Sequence, residues 1–585
     1  MKKKLLLLVS LLVFFSTTHA QINRVVTNPA AEQIMLGNYD PVTYKASTII
    51  KDPSIISKEI NARVSSDSLH SYLDAMRTFK TRNSVSDTTS LIHGIGAARK
   101  WALGKFQQFS SQNENRLITS YLAFDLSFSS CPASITHHKD IFAVLPGNDT
   151  TDKSVIIIEG HIDTRCKDVC DTACIAEGME DNASGTALVL ELSRVMSKYT
   201  FDRTIVFLLT IGEEQELGGA AAFAMYCEQK KVKIKGVMNN DVIGGVICGK
   251  TSSPPSCPGI GNIDSTHVRL FSSGTFNSVH KGLARFIKLE YKEMIRPYAL
   301  VPMGINIMTP EDRTGRSGDH IPFRSRSFTA MRFTSANEHG NADVSATGYT
   351  DRQHTSDDIL GVDTNNDMKL DSFFVDFNYL GRNAVINGNA AAMMALGPKT
   401  PDFKLTSNNA DKMYIEITAQ TQYLKYRVGV RTTTNDWDSV YTFTGAGSLH
   451  DTIKFSTPNT YIVSVAAVDA NGVESLFSRE EMLNLVGINE LSAQTNAIQL
   501  LQNAPNPFDE ATTISVLINS HIEYKNAYIA IHDISGKLVE KLPIELKDGV
   551  NEVMYNHGYH MSGTFVYTLI VDGKKIESKR MIFAN

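Results

Sequence analysis

Between residues 150 and 400, short and almost wholly apolar runs alternate with longer amphipathic ones. "VIIIEGH" (Val155–His161), "TIVFLL" (Thr204–Leu209) and "IKGVMNND" (Ile234–Asp241) read as buried strands. "ASGTALVLELSRVMSKY" (Ala183–Tyr199) and "LGGAAAFAMYCEQKK" (Leu217–Lys231) read as helices, and a last long helix is expected over Phe373–Leu396. Alternation of this kind predicts an α/β fold, a mixed and mostly parallel sheet flanked by helices. In open sheets of that class, functional groups gather beyond the carboxyl ends of the strands.

Those ends carry the chemistry of this chain. The first strand runs into "GHIDT", with His161 and Asp163, and the second into "GEE", with Glu213 and Glu214. The third ends in "NND", with Asp241. "EDNASG" places Asp181 just ahead of a helix, and "HTSDD" supplies His354 far downstream. Taken singly, a histidine after a strand is an ordinary polar residue and a Glu-Glu pair an ordinary solvated loop. Together, histidines and carboxylates without a thiolate suit Zn²⁺ or another borderline divalent ion. The adjacent glutamates then have separate tasks, because successive residues at a strand exit point in different directions. One can hold metal while the other handles a proton. Asp163, two residues after His161, is placed to orient that imidazole by a hydrogen bond.

Seven cysteines, Cys131, Cys166, Cys170, Cys174, Cys227, Cys248 and Cys257, leave at least one thiol unpaired within the chain. Three of them cluster between Cys166 and Cys174, without a second pair at zinc-finger spacing, so loop disulfides are expected there. The first residues have the layout of a secretory signal: Lys2–Lys4, the apolar stretch Leu5–Phe15, then "STTHA" with a cleavage site after Ala20. No later stretch has the length and apolarity of a membrane span. A formal net charge of -5 argues against general nucleic-acid binding, which requires a basic surface.

After "LGPKTPDF" (Leu396–Phe403) the helical pattern stops. Short strand-like segments broken by turn residues predict an all-β sandwich, similar in length and rhythm to a fibronectin type III domain. A second β unit opens with "QNAPNPF" (Gln502–Phe508) and carries "HDISGK", "GTFVYTL" and a basic last strand. It resembles the C-terminal sorting domain of the type IX secretion system, which implies export through the periplasm and outer membrane to the cell surface or beyond. The expected order is a signal peptide (1–20), an N-terminal extension or propeptide (21–65) and a zinc peptidase domain (66–400). A fibronectin III-like sandwich (401–487), a linker (488–500) and the sorting domain (501–585) follow.

The motifs "GHIDT", "EDNASG", "GEEQELGG", "NND" and "HTSDD" resemble those of the co-catalytic zinc exopeptidases, which include leucyl-type aminopeptidases and glutaminyl cyclases. The resemblance covers roughly Leu69–Leu396. It implies two zinc ions per chain: His161 and Asp241 on one, Glu214 and His354 on the other, and Asp181 bridging both. It implies Glu213 as general base, with Asp163 behind His161, and a strained, cis-capable peptide at Asp181–Asn182. Paired zinc ions share a carboxylate and a water, whose pKa falls toward ~7. The expected function is a secreted aminopeptidase acting on peptides. The alternatives are a single-zinc glutaminyl cyclase, a carboxypeptidase drawing on Arg313, Arg316, Arg324, Arg326 or Arg332, and a non-catalytic adhesin. "GRSGDHIPF" (Gly315–Phe323) resembles a segment near the site, where Asp319 and His320 are expected to shape the substrate loop.

Overall fold

The structure is a computed structural model that describes residues 23–583, apart from 132–136, 150, 249–260, 310, 312–316, 339–350, 409–410, 418–422, 424, 433, 445–448, 457–458, 486–497, 505, 509–510, 520 and 558–561. The expected signal peptide lies outside the described residues, as do Arg313 and Arg316. No helix among the described residues is long and apolar enough to cross a membrane.

The first unit follows the order β1 (Arg24–Val26), α1 (Pro29–Met35), α2 (Pro53–Arg63), α3 (Ser66–Arg77), α4 (Gly94–Gln112), β2 (Ile118–Asp125), β3 (His137–Leu145), β4 (Val155–His161) and α5 (Ser184–Met196). It continues with β5 (Thr204–Thr210), α6 (Gly218–Lys230), β6 (Ile234–Asn240), β7 (His267–Phe271), α7 (Val279–Glu290), β8 (Gly304–Met308), α8 (His320–Arg324), β9 (Ala330–Ser335) and α9 (Phe377–Leu396). The nine strands form one sheet in the order β1-β2-β3-β5-β4-β6-β9-β7-β8. Its centre, β5-β4-β6-β9, is parallel, while β1-β2-β3-β5 and β9-β7 pair antiparallel. Every residue of β4 and β5 is buried, which is why their sequences are continuously apolar rather than alternating.

Helices α4, α5 and α9 pack on one face of the sheet and α6 and α8 on the other. Two local details depart from the sequence expectation. Helix α9 starts at Phe377 and not Phe373, because the Asp376 side chain caps it by accepting the Tyr379 N–H at 2.8 Å. Phe373 instead sits in a two-residue strand paired with Gly361–Val362. The segment read as an extension, 21–65, is built into the unit: β1 pairs with β2, and Ala31, Ile34, Met35, Ile56 and Ile60 lie in its core.

Two further all-β units follow, each with its own apolar core. Strands between Phe403 and Leu485 form a three-stranded and a four-stranded antiparallel sheet around Met413, Ile415, Tyr426, Val428, Val463 and Val465. Strands between Ile498 and Phe583 repeat that division around Ile514, Val516, Ile529, Ile531, Tyr567 and Leu569. The free thiol among the described residues is Cys227, buried in α6.

The first unit and the 403–485 unit are joined through buried charge. Glu480 accepts from Arg285 of α7 at 2.7 Å and from Arg431 at 2.6 and 2.8 Å, and its carboxylate also takes the Asn277 N–H at 2.7 Å. Burial works against ionising Glu480, but the two guanidiniums outweigh it and hold the carboxyl below its usual range. Glu480→Ala strands both cations in a dry interface and should destabilise the chain by about 3–5 kcal/mol in chemical denaturation. Because the folded-state pKa is the lower one, this contribution is present at neutral pH and is lost as pH falls through the acid range. An unchanged denaturation midpoint for Glu480→Ala at pH 7 would refute this account of the interface.

Candidate metal centre

The parallel centre of the sheet brings the ends of β4, β5 and β6 to one edge: His161 is in register with Thr210, and Glu159 with Asn239. His161 closes β4, Glu213 and Glu214 follow β5 by three and four residues, and Asp241 follows β6 directly. Asp181 sits in the turn that enters α5, with a cis peptide to Asn182. That turn is fixed from both sides. Asn182 donates to Asn240 O at 2.8 Å and accepts from Gly185 N at 2.9 Å. Asp358 accepts the N–H groups of Glu180 and Asp181 at 2.8 and 3.0 Å. Gly185 has no room for a side chain, since a Cβ there would lie 2.1 Å from Asn240 O. The helix therefore approaches the strand closely enough to bring Asp181 over the strand ends.

The structure brings all seven sequence-singled residues, His161, Asp163, Asp181, Glu213, Glu214, Asp241 and His354, to this edge. His161 Nε2 lies 3.2 Å from Asp181 Oδ1 and 3.3 Å from Asp241 Oδ1. His354 Nε2 lies 3.0 Å from the other oxygen of Asp181 and 3.3 Å from Glu214 Oε2. Two groups can each hold a cation: His161, Glu213 and Asp241, and Asp181, Glu214 and His354. Asp181 also reaches the first group through His161, whereas Glu213 makes no hydrogen bond through its side-chain oxygens to either histidine.

The donor set fits metal. Ligands ~2.0–2.1 Å from a tetrahedral zinc stand roughly 3.3 Å from each other, the spacing found between these nitrogens and oxygens. Glu214 Oε1 is buried with no hydrogen-bond partner. The carboxylates of Asp163, Asp181, Glu213, Glu214 and Asp241 crowd a site whose nearest fixed cations are Arg165 and Arg332. Burial, with Asp241 and Glu214 adding to it against the opposing pull of His161, pushes the Glu213 carboxyl well above its usual range. Asp181 is held well below its own despite burial, because both imidazoles face it. His161 is driven well above the usual imidazole value: burial opposes its protonation, and the carboxylates of Glu213, Asp163, Asp181 and Asp241 overcome that.

Asp163 does more than its spacing suggests. His161 Nδ1 lies 3.2 Å from the Asp163 backbone carbonyl and 3.4 Å from its Oδ1, and the two carboxylate oxygens also receive the N–H groups of Glu213 and Glu214 at 3.3 Å each. One carboxylate thus ties the first strand end to the second. Arg82, fully buried, does the same for the loops after β4, donating to Ile162 O at 2.7 Å, to Gly178 O at 3.0 Å and to Glu177 O. Arg82 and Arg165 carry no local sequence signal, whereas Asp358 ends the "HTSDD" segment and Arg332 was singled out for a different role.

Asp319 and His320, expected to shape the substrate loop, are both fully buried. Thr210 Oγ1 lies 2.5 Å from Asp319 Oδ2 and 2.8 Å from Glu159 Oε1, so the two acids meet at one hydroxyl, whose single proton goes to one of them. Burial raises both carboxyls, Glu159 to about 7. The described arginines of the proposed carboxylate pocket are also engaged. Arg324 pairs with Glu311 at 2.5 Å, Arg326 with Glu228 at 3.6 Å and Arg332 with Glu338 at 2.6 Å and Asp241 at 3.1 Å. Above the carboxylates opens a cleft of about 240 Å³ walled by Arg165, Glu216, Leu217, Ser317 and His354.

Comparison with known proteins adds an independent line. Residues 140–370 match the family model described as Peptidase family M28. A "probable zinc metalloprotease" of Pyricularia oryzae is 29% identical over 433 residues, spanning 70% of this chain and 80% of its own length. Another of that description, from Pyrenophora teres f. teres, is 32% identical over 243 residues, 39% of this chain and 51% of its own. Among solved structures, the LapA aminopeptidase of Legionella pneumophila aligns over 61% of this chain and 78% of its own, at 17% identity and a TM-score of 0.42. The glutaminyl cyclase of Porphyromonas gingivalis aligns over 56% and 97%, at 15% identity and a TM-score of 0.37. The family match spans β3 to the loop after His354 and so covers the strand ends, the turn into α5 and the His354 loop.

Proposed function

We propose that the chain is a secreted, zinc-dependent exopeptidase that removes N-terminal residues from peptides, using two zinc ions per chain. The observation that carries this reading is Asp181, whose two oxygens each face a different imidazole, His161 at 3.2 Å and His354 at 3.0 Å, each with a further carboxylate beside it. A chain built for one ion has no need of the second half. His161 and Asp241 would hold one ion, Glu214 and His354 the other, and Asp181 would serve both. Bound there, the ions supply Lewis acidity and a water acidified toward ~7.

The protein's own residues do the rest. Glu213 is buried against the cluster without being needed as a ligand, and it takes the water proton and passes it to the leaving amine. Asp163 fixes the His161 ring through its backbone carbonyl and its carboxylate together, so that Nε2 faces the ion, and through the Glu213 and Glu214 amides it holds the base in register with the ligand beside it. Secretion is supported by the disulfides Cys131–Cys170 and Cys166–Cys174 and by the basic, apolar start of the chain. On this reading the 403–485 sheets are the fibronectin III-like module, and those of 498–583 are the sorting module that engages type IX secretion machinery.

Metal analysis of the purified protein should return two zinc ions per chain. Chelation should abolish release from unblocked aminoacyl arylamides, and zinc should restore it. A stoichiometry of one, with pyroglutamate formed from N-terminal glutamine, would replace this reading with the cyclase. Glu213→Gln should keep both ions while kcat falls by ~10²–10⁴, and undiminished turnover would remove Glu213 as the proton carrier. Asp163→Asn should weaken zinc binding by about 10–100-fold in a chelator competition.

A further inference from the structure

Just past Glu214 the chain makes a turn that side-chain-bearing residues avoid. Glu216 and Leu217 are consecutive, and both stand in the left-handed region, at φ 72° and 57°. That conformation crowds Cβ against the backbone and persists only where the surroundings dictate it. Here they do. Leu217 N–H returns to Glu213 O at 3.0 Å, Gly218 N–H to Gly212 O at 2.6 Å and Gly219 N–H to Ile211 O at 2.8 Å, so the turn closes on the exit of β5. The Phe128 ring packs against it so closely that a Cβ at Gly218 would meet the ring at 2.5 Å. Gln215 ties the turn to the disulfide-bearing loop by donating to Val169 O at 3.1 Å.

This turn sets Glu216 and Leu217 side by side on the wall of the cleft, the first exposed and the second half-buried. The Glu216 carboxylate is fixed all the same. Its Oε1 accepts from Ser129 Oγ and from Ser130 N, the latter at 2.8 Å, and the next residue, Cys131, is anchored to Cys170. A carboxylate has about four acceptor positions, so these two bonds leave room for a further donor. Among the described residues lining the cleft, Glu216 is the carboxylate that belongs to neither candidate ion group. The arginines of that wall have other partners, Arg165 in Glu214 at 2.9 Å and Arg332 in Glu338 at 2.6 Å and Asp241 at 3.1 Å. Glu216 thus gives the cleft a fixed negative charge with an aliphatic neighbour. Lysine and arginine side chains are built to match, as an apolar stem that ends in a cation. The stem suits Leu217 and the head suits Glu216, and since the carboxylate is already held, binding has only the ligand to order.

We propose that Glu216 is a specificity-determining residue that selects peptides carrying a lysine or arginine side chain beside the scissile bond. The inference rests on the exopeptidase reading above. The cation belongs either to the N-terminal residue or to the residue after it, and both bring the same group to the same carboxylate.

Binding to the zinc-loaded full chain carrying Glu213→Gln tests this without relying on turnover. Calorimetric titration compares Lys-Gly-amide with norleucine-Gly-amide, and Gly-Lys-amide with Gly-norleucine-amide. Norleucine keeps the stem and removes the cation, and the α-ammonium is common to all four. The lysine member of at least one pair should bind about fivefold more tightly or better, and which pair does so names the source. Added salt should shrink that preference. Glu216→Gln keeps an acceptor oxygen for Ser129 and Ser130 and loses only the charge. It should bring the ratio to within about twofold of unity while the norleucine peptides bind as before. A role confined to holding the Ser129 segment would change both members alike and leave the ratio intact. No lysine preference in either pair, or a preference that survives Glu216→Gln, would overturn the proposal. Failure of the two-ion reading would show separately, as a zinc stoichiometry of one.

Discussion

A single carboxylate shared by two imidazoles, in a place almost closed to water, is what the rest of this molecule is arranged around. Asp181 is 6% exposed and has a ring nitrogen within 3.2 Å of each of its oxygens. In a low-dielectric pocket such an arrangement is costly unless charge is balanced, and five carboxylates exceed what Arg82, Arg165 and Arg332 supply. The surplus is the physical reason to expect cations there. It also explains the supporting structure: Asp358 under the turn, Asn182 against Asn240, and Gly185 allowing the helix to approach the strand. Each holds Asp181 where its two oxygens are divided between neighbours.

The sheet solves the remaining geometric problem. Three adjacent parallel strands end at the same level, so residues 161, 213, 214 and 241 converge although up to 80 residues separate them in sequence. Asp163 and Arg82 then tie neighbouring strand-end loops together through backbone amides and carbonyls. The backbone is thereby used twice, once for the sheet and once to lock the loops that bear the charged groups.

Much of this could be read from residues alone, because the strand ends are local patterns: an apolar run followed by a histidine or acid declares both the element and its exit. His354 is different. It stands in a loop at φ 60°, far from the sheet in sequence, and only the family resemblance singled it out. Arg82 and Arg165 were illegible, and the partners of Asp358, at the end of "HTSDD", and of Arg332 were not named by the sequence, because these roles lie in distant partners. The three residues of β1 are too few to show a period, so residues 24–65 read as an extension although they complete the sheet and its core. Asp319 and His320 read as shaping the substrate loop; both are buried two and three residues beyond Ser317, which lines the cleft.

The junction between the first unit and the 403–485 sheets reaches beyond its ion pairs. Asn435, on a loop of the sandwich, donates to Ile307 O at 3.1 Å and accepts from Thr309 at 3.0 Å, while its own carbonyl takes Arg285 at 2.7 Å. Strand β8, the last of the nine, is thus buttressed from outside its own unit. Clipping the module away would leave β8 without that support and Arg285 without an anion. The α/β unit is consequently not a free-standing enzyme with an ornament attached, but the larger part of one cooperative body.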